Sequence, residues 1–286
     1  MFKLTRCQHE DLLLRTFDFP IRFVAAPKSC SVGRIAYVVY VPVALSDFDL
    51  RELIRSTWAR NFKADSTVKF IFVVGSHWLN ESSMVRLDSE MRRERDILRS
   101  DTIEHYYNLT LKTYAVFKWI HRYCRHAKYV VRADSDTVLK KDNLDHFLKA
   151  SGQTLKRTIV GHCHQFHCPT RYPSAKNCIP FSSFSTGLLP RYCFGFSNVI
   201  SGDLVSQMLR HWQSLPYFHL EDIFLSGILA EALGDVQRVD RQDLFDYQTR
   251  FDSFACDMTQ IASASYPSIE QQREHWTKYL NRCHRS

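Results

Sequence analysis

The chain has 286 residues, 45% of them hydrophobic and 13% aromatic, which is ample for the core of one large domain or two small ones. Its nine glycines and nine prolines exclude a low-complexity or disordered protein. The formal charge of +8 favours no class of partner, because basic clusters such as residues 91–95 are interrupted by acids, and we predict no nucleic-acid partner.

The predicted elements alternate between strands and helices along the first half of the chain. Residues 1–33 are predicted to form an irregular lead-in, and residues 34–286 a single domain, since no internal repeat or linker is visible. Hydrophobic patterns then predict, in chain order, a strand at 35–43, a helix at 47–60, a strand at 68–75, helices at 83–99 and 110–126, a strand at 128–133 and a helix at 142–149. Residues 151–200 are predicted to be rich in loops, and 203–233 to be helical. The alternation predicts an α/β fold with a mostly parallel sheet, in which ligands bind outside the carboxyl ends of the strands.

The strand predicted at 128–133 runs into two aspartates, Asp134 and Asp136, which would repel each other at the sheet edge. Three interpretations are open. The aspartates could be solvated loop residues that cap the next helix. They could form the Asp-x-Asp-x-Thr/Val signature of a haloacid-dehalogenase-type phosphatase, in which the first aspartate attacks phosphorus. They could also bind a divalent cation that bridges them to a nucleotide diphosphate, in which case the ion removes the repulsion.

The position of this pair in the chain argues against the phosphatase. An enzyme of that kind carries its nucleophile on the first strand, whereas about 130 residues with two good strands precede Asp134 here.

The cysteine count and two sequons favour an oxidising compartment. There are nine cysteines and no CxxC pair, which argues against a zinc ribbon or a thioredoxin motif, and the sequons predict N-glycosylation at Asn80 and Asn108. No apolar run reaches the length of about 18 residues that a membrane span needs, and the first residues lack the apolar core of a signal peptide. The secretory interpretation therefore requires a targeting segment that these residues do not supply.

Six motifs occur in one order along the chain. They are RELIRSTW at 51–58, FIFVVG at 70–75, NLTLKT at 108–113, KYVVRADSD at 128–136, YCFG at 192–195 and EDIF at 221–224. Together they resemble the motifs of the β-1,3-galactosyltransferase-like enzymes of glycosyltransferase family 31, in family order over about residues 35–235. Two departures are mild: Arg132 stands for the usual lysine and Ile223 for the usual valine.

The resemblance implies a GT-A fold, a Rossmann-like, mostly parallel sheet flanked by helices, preceded by a stem remnant at 1–33. It implies an inverting enzyme that moves a hexose, galactose or an N-acetylhexosamine, from a UDP-sugar donor to a glycan acceptor on protein or lipid in β-1,3 linkage. It also implies Mn²⁺, bound directly by Asp136 with Asp134 nearby, and a Golgi-lumen location as a type II membrane protein whose anchor this chain does not include. Oligomers with other glycosyltransferases fit the same picture.

Roles for further residues follow from the same motifs. Asp222 matches the family's catalytic base, whereas Glu221 is expected to contact the acceptor or hold the loop; spacing alone cannot rank the two acids, which could instead complement a helix dipole. Tyr192 is expected to stack on an acceptor ring, and Gly195 to permit a tight turn beside the sugar. Donor contacts are expected from Arg51, Arg55, Lys112, Asp134 and Ser135.

Some of these roles have alternatives. Arg51 and Arg55 lie one helical turn apart and could form a surface ion pair with Glu52 or Asp49. His275 is a weak candidate for a further metal ligand. Two rival functions also stay open: the phosphatase, and a non-catalytic relative that binds glycans.

Residues 162–168 (HCHQFHC) invite a zinc interpretation, since three histidines and two cysteines could act as ligands. Compact zinc sites take half of their ligands from a second cluster, and only Cys178 and Cys193 are close in sequence. A disulfide among Cys163, Cys168, Cys178 and Cys193 is the favoured interpretation, with the segment lining the acceptor side and no metal assigned.

Overall fold

The computed structural model describes residues 7, 21–30, 35–77, 79–150, 155–164, 167–246, 261–266 and 268–283. The strands are β1 (Phe23–Ala25), β2 (Tyr37–Pro42), β3 (Val68–Ser76), β4 (Ile97–Ile103), β5 (Tyr129–Ala133), β6 (Thr137–Leu139), β7 (Thr158–His164), β8 (Tyr192–Ser201), β9 (Gln237–Asp240), β10 (Phe245–Asp246) and β11 (Ser263–Ser265). The α-helices are α1 (Phe48–Ser56), α2 (Ala59–Ala64), α3 (Glu81–Glu94), α4 (Leu109–Tyr123), α5 (Lys141–Ala150), α6 (Gly202–Trp212), α7 (Ala230–Leu233) and α8 (Ile269–Cys283). A π-helix spans Ile223–Leu229.

Eight strands form the main sheet in the order β1-β4-β3-β2-β5-β8-β7-β9. Its centre, β4-β3-β2-β5, is parallel, whereas β8 runs antiparallel between β5 and β7. Strands β6, β10 and β11 form a small second sheet. The predicted α/β fold with a mostly parallel sheet flanked by helices is confirmed, and this is the GT-A arrangement.

Helices cover both faces of the sheet because the central strands are apolar on both sides. All six residues of β2 are buried, and they alternate between two cores. Val38 and Tyr40 pack with α4 and α6, whereas Tyr37 and Val39 pack with α1 and α2. The sheet is therefore the middle layer of three, and its strand ends are left for the site.

The structure corrects the predicted elements in three places. The helix predicted at 83–99 ends at Glu94, where Arg95 adopts φ 54°, and the chain continues as strand β4. The region predicted to be rich in loops, 151–200, contains β7 and most of β8. The lead-in prediction is wrong for residues 23–25, because β1 pairs with β4 at the edge of the main sheet.

Three disulfides link distant parts of the described chain: Cys7–Cys178, Cys30–Cys124 and Cys163–Cys193. The predicted disulfide among the four clustered cysteines is confirmed by Cys163–Cys193, which bridges β7 and β8. Cys168 is an exposed free thiol. Since Cys7 and Cys30 both lie within residues 1–33 and are bridged to the domain, that segment is tied to it covalently.

The two predicted glycosylation sites differ in exposure. Asn80 is exposed and caps α3 by accepting from the backbone N–H of Ser83. Asn108 is 1% exposed and its Nδ2 donates to the carbonyl of Ile103 at 2.8 Å. Burial of this amide argues against a glycan at Asn108 in the folded domain. Among the described helices, none is both long and apolar enough to cross a membrane.

Candidate active site

A cleft of about 780 Å³ lies beside the loop between β5 and β6, which carries Asp134 and Asp136. Two backbone hydrogen bonds of 2.7 Å fix this loop: the N–H of Asp134 donates to the carbonyl of Phe196, and the N–H of Tyr266 donates to the carbonyl of Asp136. Four carboxylate side chains line the cleft, those of Asp134, Asp136, Glu221 and Asp222. The structure thus brings together the acids that the sequence placed about 90 residues apart.

Arg132, at the end of β5, pairs with two of these four carboxylates. Its Nη2 donates to Oδ1 of Asp134 at 2.8 Å, and its Nη1 forms an ion pair with Oε2 of Glu221. The guanidinium is 2% exposed. Burial acts to lower the pKa of Arg132, but the charge and hydrogen bond of Asp134, together with Tyr40 and Asp222, outweigh it and hold the pKa above its usual range. Arg132 therefore stays charged and holds both partners in place.

Asp136 lacks such a partner, and its pKa is accordingly perturbed. Desolvation within the cleft, followed by the charge of Asp134, raises the pKa of Asp136 to about 6. The lining residues carry four carboxylates and two cationic groups, Arg132 and Lys176, a net charge of −2 with neutral histidines. One divalent cation would balance that charge, and carboxylate oxygens are the ligands that a hard cation prefers. The donor set fits the implied Mn²⁺.

The two adjacent acids of the EDIF motif differ in their surroundings. Glu221 is 3% exposed; besides its ion pair with Arg132, it accepts a hydrogen bond from Oγ1 of Thr113 at 2.9 Å. Asp222 is half-buried, and its carboxylate accepts from the backbone N–H groups of Gly195 at 3.2 Å and Ile223 at 2.9 Å. Burial raises the pKa of Asp222 despite the opposing charge of Arg132. The structure therefore distinguishes the two acids, which spacing could not.

Tyr192 and Gly195 both line the cleft from strand β8. Gly195 lies within strand β8, so the tight turn that the sequence predicted at this position is wrong. A Cβ at this position would stand 3.3 Å from Cβ of Asp222 and 3.4 Å from Cζ of Arg132. The glycine lets β8 approach the two functional side chains closely.

The structure corrects the prediction that Arg51, Arg55 and Lys112 bind the donor, because none is among the described residues that line the cleft. Arg51 is fully buried, and its guanidinium donates to Glu90 and to two backbone carbonyls. Arg55 pairs with Glu90 and Asp96. Its contact with Glu52, at 3.9 Å, is peripheral, so the ion pair is buried and not at the surface.

Neither Lys112 nor Ser135 is among the residues that line the cleft. Lys112 is 2% exposed; its Nζ pairs with Glu104 and donates to the carbonyl of Val43 at 3.1 Å, and burial lowers its pKa. Ser135 is half-buried, and its carbonyl accepts from Nε2 of Gln272 in α8 at 2.9 Å. Its position in the Asp-x-Asp loop places it beside the cleft without lining it.

Sequence reasoning gave no role to several residues that line the cleft. Lys176 reaches it from a loop that the Cys7–Cys178 disulfide anchors, and its Nζ lies 3.9 Å from the ring centroid of Tyr106. His219 is 1% exposed, and its Nε2 bonds to the carbonyl of Cys178 at 3.0 Å. In the sequence, only the proximity of His219 to the EDIF motif pointed to a role for it. Nothing pointed to Lys176, because a loop position carries no periodic pattern.

The predicted extra metal ligand, His275, is 5% exposed and packs against the ring of Tyr266 at 4.9 Å. In the part of the chain that the structure describes, no three His, Cys, Asp or Glu side chains form a group that could hold a metal ion. Asp134 and Asp136 would therefore need donor or solvent oxygens to complete the coordination of a cation.

Comparisons with known proteins agree with the motifs. Residues 49–242 match the family model described as galactosyltransferase. The chain is 34% identical over 184 residues to β-1,3-galactosyltransferase 5 of Gorilla gorilla gorilla, covering 64% of this chain and 61% of that relative. It is 29% identical over 215 residues to lactosylceramide 1,3-N-acetyl-β-D-glucosaminyltransferase A of Danio rerio, covering 72% of this chain and 56% of that one.

The human lactosylceramide 1,3-N-acetyl-β-D-glucosaminyltransferase is 29% identical over 217 residues, covering 73% of this chain and 57% of the relative. The chain thus spans less than two thirds of the length of these relatives. The family match itself covers more than half of the chain. The chain therefore belongs to the β-1,3-galactosyltransferase-like family, glycosyltransferase family 31.

Proposed function

We propose that this protein is an inverting hexosyltransferase that moves a hexose, galactose in the first instance, from a UDP-sugar to a glycan hydroxyl in β-1,3 linkage. The observation that carries the proposal is one cleft lined by the Asp134/Asp136 pair and by Asp222, in which Asp134 and Asp222 are both hydrogen-bonded to the backbone of strand β8. Inverting transfer needs these two functions, a phosphate-side cation site and a base, within reach of one sugar.

Asp222 is the general base in this proposal. The acceptor hydroxyl oxygen attacks the anomeric carbon, its proton passes to the Asp222 carboxylate, and the bond from that carbon to UDP breaks with its electron pair on the diphosphate. The N–H groups of Gly195 and Ile223 orient the carboxylate, and its raised pKa makes it a stronger proton acceptor than an exposed aspartate. Glu221, committed to Arg132 and Thr113, holds the site together.

Asp136 and Asp134 would hold Mn²⁺ through their carboxylate oxygens. The bound ion would neutralise the charge that develops on the leaving diphosphate. Lys176 takes the place of Arg51, Arg55 and Lys112 as the cationic side chain near the donor, because it lines the cleft and its charge acts on Asp136. Tyr192 and Gly195 then lie on the acceptor side.

The compartment and the acceptor class belong to the same proposal. Three disulfides among the described residues agree with an oxidising lumen, and we place the activity in the Golgi, with the acceptor on protein or lipid. The relatives named above include both a galactosyl- and N-acetylglucosaminyltransferases, so the donor is the property that needs measurement first.

The test measures UDP release with UDP-galactose, UDP-N-acetylglucosamine and UDP-N-acetylgalactosamine, with Mn²⁺ and a panel of α- and β-linked glycosides. The variant Asp222→Asn is expected to lose about 10²- to 10⁴-fold in kcat while binding UDP with Mn²⁺ as tightly as the wild type. Asp136→Ala is expected to lose Mn²⁺-dependent UDP binding, measured by calorimetry. Asp235→Asn is the matched control, since Asp235 is exposed and its φ of 51° suits asparagine equally well.

The rival functions predict different results. Phosphate release from monoesters without UDP turnover would identify the phosphatase. A protein that binds no UDP, or whose Asp222→Asn variant matches the wild type in every reaction, would be a non-catalytic relative. Unchanged Mn²⁺-dependent UDP affinity in Asp136→Ala would overturn the cation site.

A further inference from the structure

Five ring side chains on and beside strands β7 and β8 form a continuous surface, which we call the histidine wall: His162, His164, His167, Tyr192 and Phe194. Ring centroids of His162 and His164 lie 5.0 Å apart, and each also contacts Phe194, at 5.0 and 4.4 Å. His167 lies 5.6 Å from His164 and 6.4 Å from Tyr192. Cys163 of this segment is bridged to Cys193 and is therefore not available as a zinc ligand.

Strand geometry explains why these rings share one face. Cys163 and Cys193 are register partners, and their disulfide joins the two strands. Side chains alternate along a strand, so His164, Tyr192 and Phe194 point to the face opposite the disulfide. The register is irregular between Gly161 and Cys163, and the ring contacts of His162 with His164 and Phe194 place it on the same face. The disulfide therefore fixes the register that brings the histidines of β7 against the aromatic rings of β8.

The wall begins inside the candidate active site and extends to the surface. Tyr192, Phe194 and His167 line the cleft. Tyr192 is buried, Phe194 and His164 are half-buried, and His167 is exposed. The proposed reaction uses only Tyr192, so the other four rings have no role in it. A ring surface that starts beside the base and continues outward lies where the remainder of an acceptor would extend.

The chemistry of the wall suits a sugar ring. Burial and the charges of His162 and His167 lower the pKa of His164, so its imidazole is neutral at pH 7 and offers an aromatic face, one N–H donor and one acceptor nitrogen. A pyranose has an apolar C–H face and a rim of hydroxyl groups, which match both features.

We propose that the histidine wall is an acceptor subsite that stacks on the sugar adjacent to the one whose hydroxyl is glycosylated. This inference rests on the proposed function and deepens it, because it makes the preferred acceptor a glycan of two or more sugars. The acceptor's terminal sugar lies at Tyr192 and Asp222, and the next ring lies against His167, His164 and Phe194.

The test compares methyl β-glycosides of lactose and chitobiose with those of galactose and N-acetylglucosamine. We expect the wild type to prefer a disaccharide over its monosaccharide by at least tenfold in KM, and His164→Ala and His167→Ala to abolish that preference. The KM for the UDP-sugar and the rate of donor hydrolysis without acceptor should not change. His167→Phe should restore the preference, and His211→Ala, which removes an exposed imidazole on α6, should leave it intact.

A readout without turnover separates this inference from the proposed function. Saturation-transfer NMR of each glycoside with UDP and Mn²⁺ should show contact to the second ring that His164→Ala removes. A wild-type protein that hydrolyses no donor and transfers to no acceptor would overturn the proposed function, while the NMR experiment would still report on the wall. Equal disaccharide-to-monosaccharide KM ratios in the wild type and in His164→Ala would overturn the subsite, provided that thermal unfolding shows both proteins to be folded.

Discussion

Replacing Arg51 by leucine is expected to destabilise the fold while leaving donor binding intact. The Arg51 side chain is fully buried. Its Nε and Nη2 donate to the carboxylate of Glu90 at 2.8 and 2.6 Å, and its Nη1 donates to the carbonyls of Ala44 and Leu45 at 2.9 and 3.1 Å. All three guanidinium nitrogens therefore bond within the protein and none is exposed to a nucleotide, so the loss falls on the protein's own structure.

The size of the loss follows from which groups keep a partner. Removing one member of a buried ion pair costs about 3–5 kcal/mol, because the other charge is left uncompensated. In Arg51→Leu, Glu90 still accepts a hydrogen bond from Nη1 of Arg55 at 2.6 Å. The cost of the broken ion pair therefore lies near the lower limit of that range. The two carbonyls that lose a hydrogen bond add about 1 kcal/mol each. We therefore expect the free energy of unfolding to fall by roughly 5 kcal/mol.

Urea unfolding measures the stability of Arg51→Leu, and calorimetry with UDP and Mn²⁺ measures its donor affinity. Arg86→Leu is the control, since Arg86 pairs with Asp49 at 2.6 Å but the two side chains are 57% and 91% exposed. Such a surface pair contributes less than about 1 kcal/mol. If Arg51→Leu unfolds within about 1 kcal/mol of the wild type and binds UDP tenfold more weakly, Arg51 is a donor ligand and the structural role is refuted.

Three further predictions follow from burial and exposure. Asn80→Gln should abolish the mobility shift caused by glycosidase treatment of the secreted protein, and Asn108→Gln should leave it unchanged, because only Asn80 is exposed. Native thiol labelling with peptide mapping should modify Cys168, and none of the six cysteines in the three described disulfides. Burial lowers the pKa of His219 to about 4, so between pH 6.5 and pH 4 the unfolded chain binds a proton that the folded chain does not. The free energy of unfolding therefore decreases as the pH is lowered through this range, by roughly 3 kcal/mol for this group. Acid titration of unfolding should show that loss in the wild type, and no reduction of it in His219→Gln would contradict the assignment.

The parallel centre of the sheet and the position of the acid pair could be predicted from the sequence, because both depend on local pattern. Strands β2, β3 and β5 are apolar on both faces, and a parallel sheet places its ligands at the carboxyl strand ends. Strand β4 was missed because its sequence, ILRSDTI, follows a charged helix with no glycine or proline between them. Only pairing with β1 and β3 makes it a strand.

The donor-binding prediction failed for Arg51 and Arg55 for a different reason. Helical spacing correctly puts the two arginines on the same face of α1, but it cannot say what that face contacts. The partners, Glu90 and Asp96, lie 35 to 41 residues further along the chain, and the fold brings them to that face of the helix. Residue type and spacing specify an arginine pair equally well for a phosphate and for a buried carboxylate.

Arg132 accounts for how the cleft tolerates so many acids. Of the four carboxylates, it holds Asp134 and Glu221 in ion pairs, and the remaining two, Asp136 and Asp222, are the ones whose pKa values rise. The acids without an arginine partner are those for which the proposed reaction supplies a cation or a proton. Arg132 thus pairs with one member of each acidic pair, Asp134 and Glu221, and these two residues maintain the site. The other members, Asp136 and Asp222, are the ones that act on the ligand in the proposed reaction.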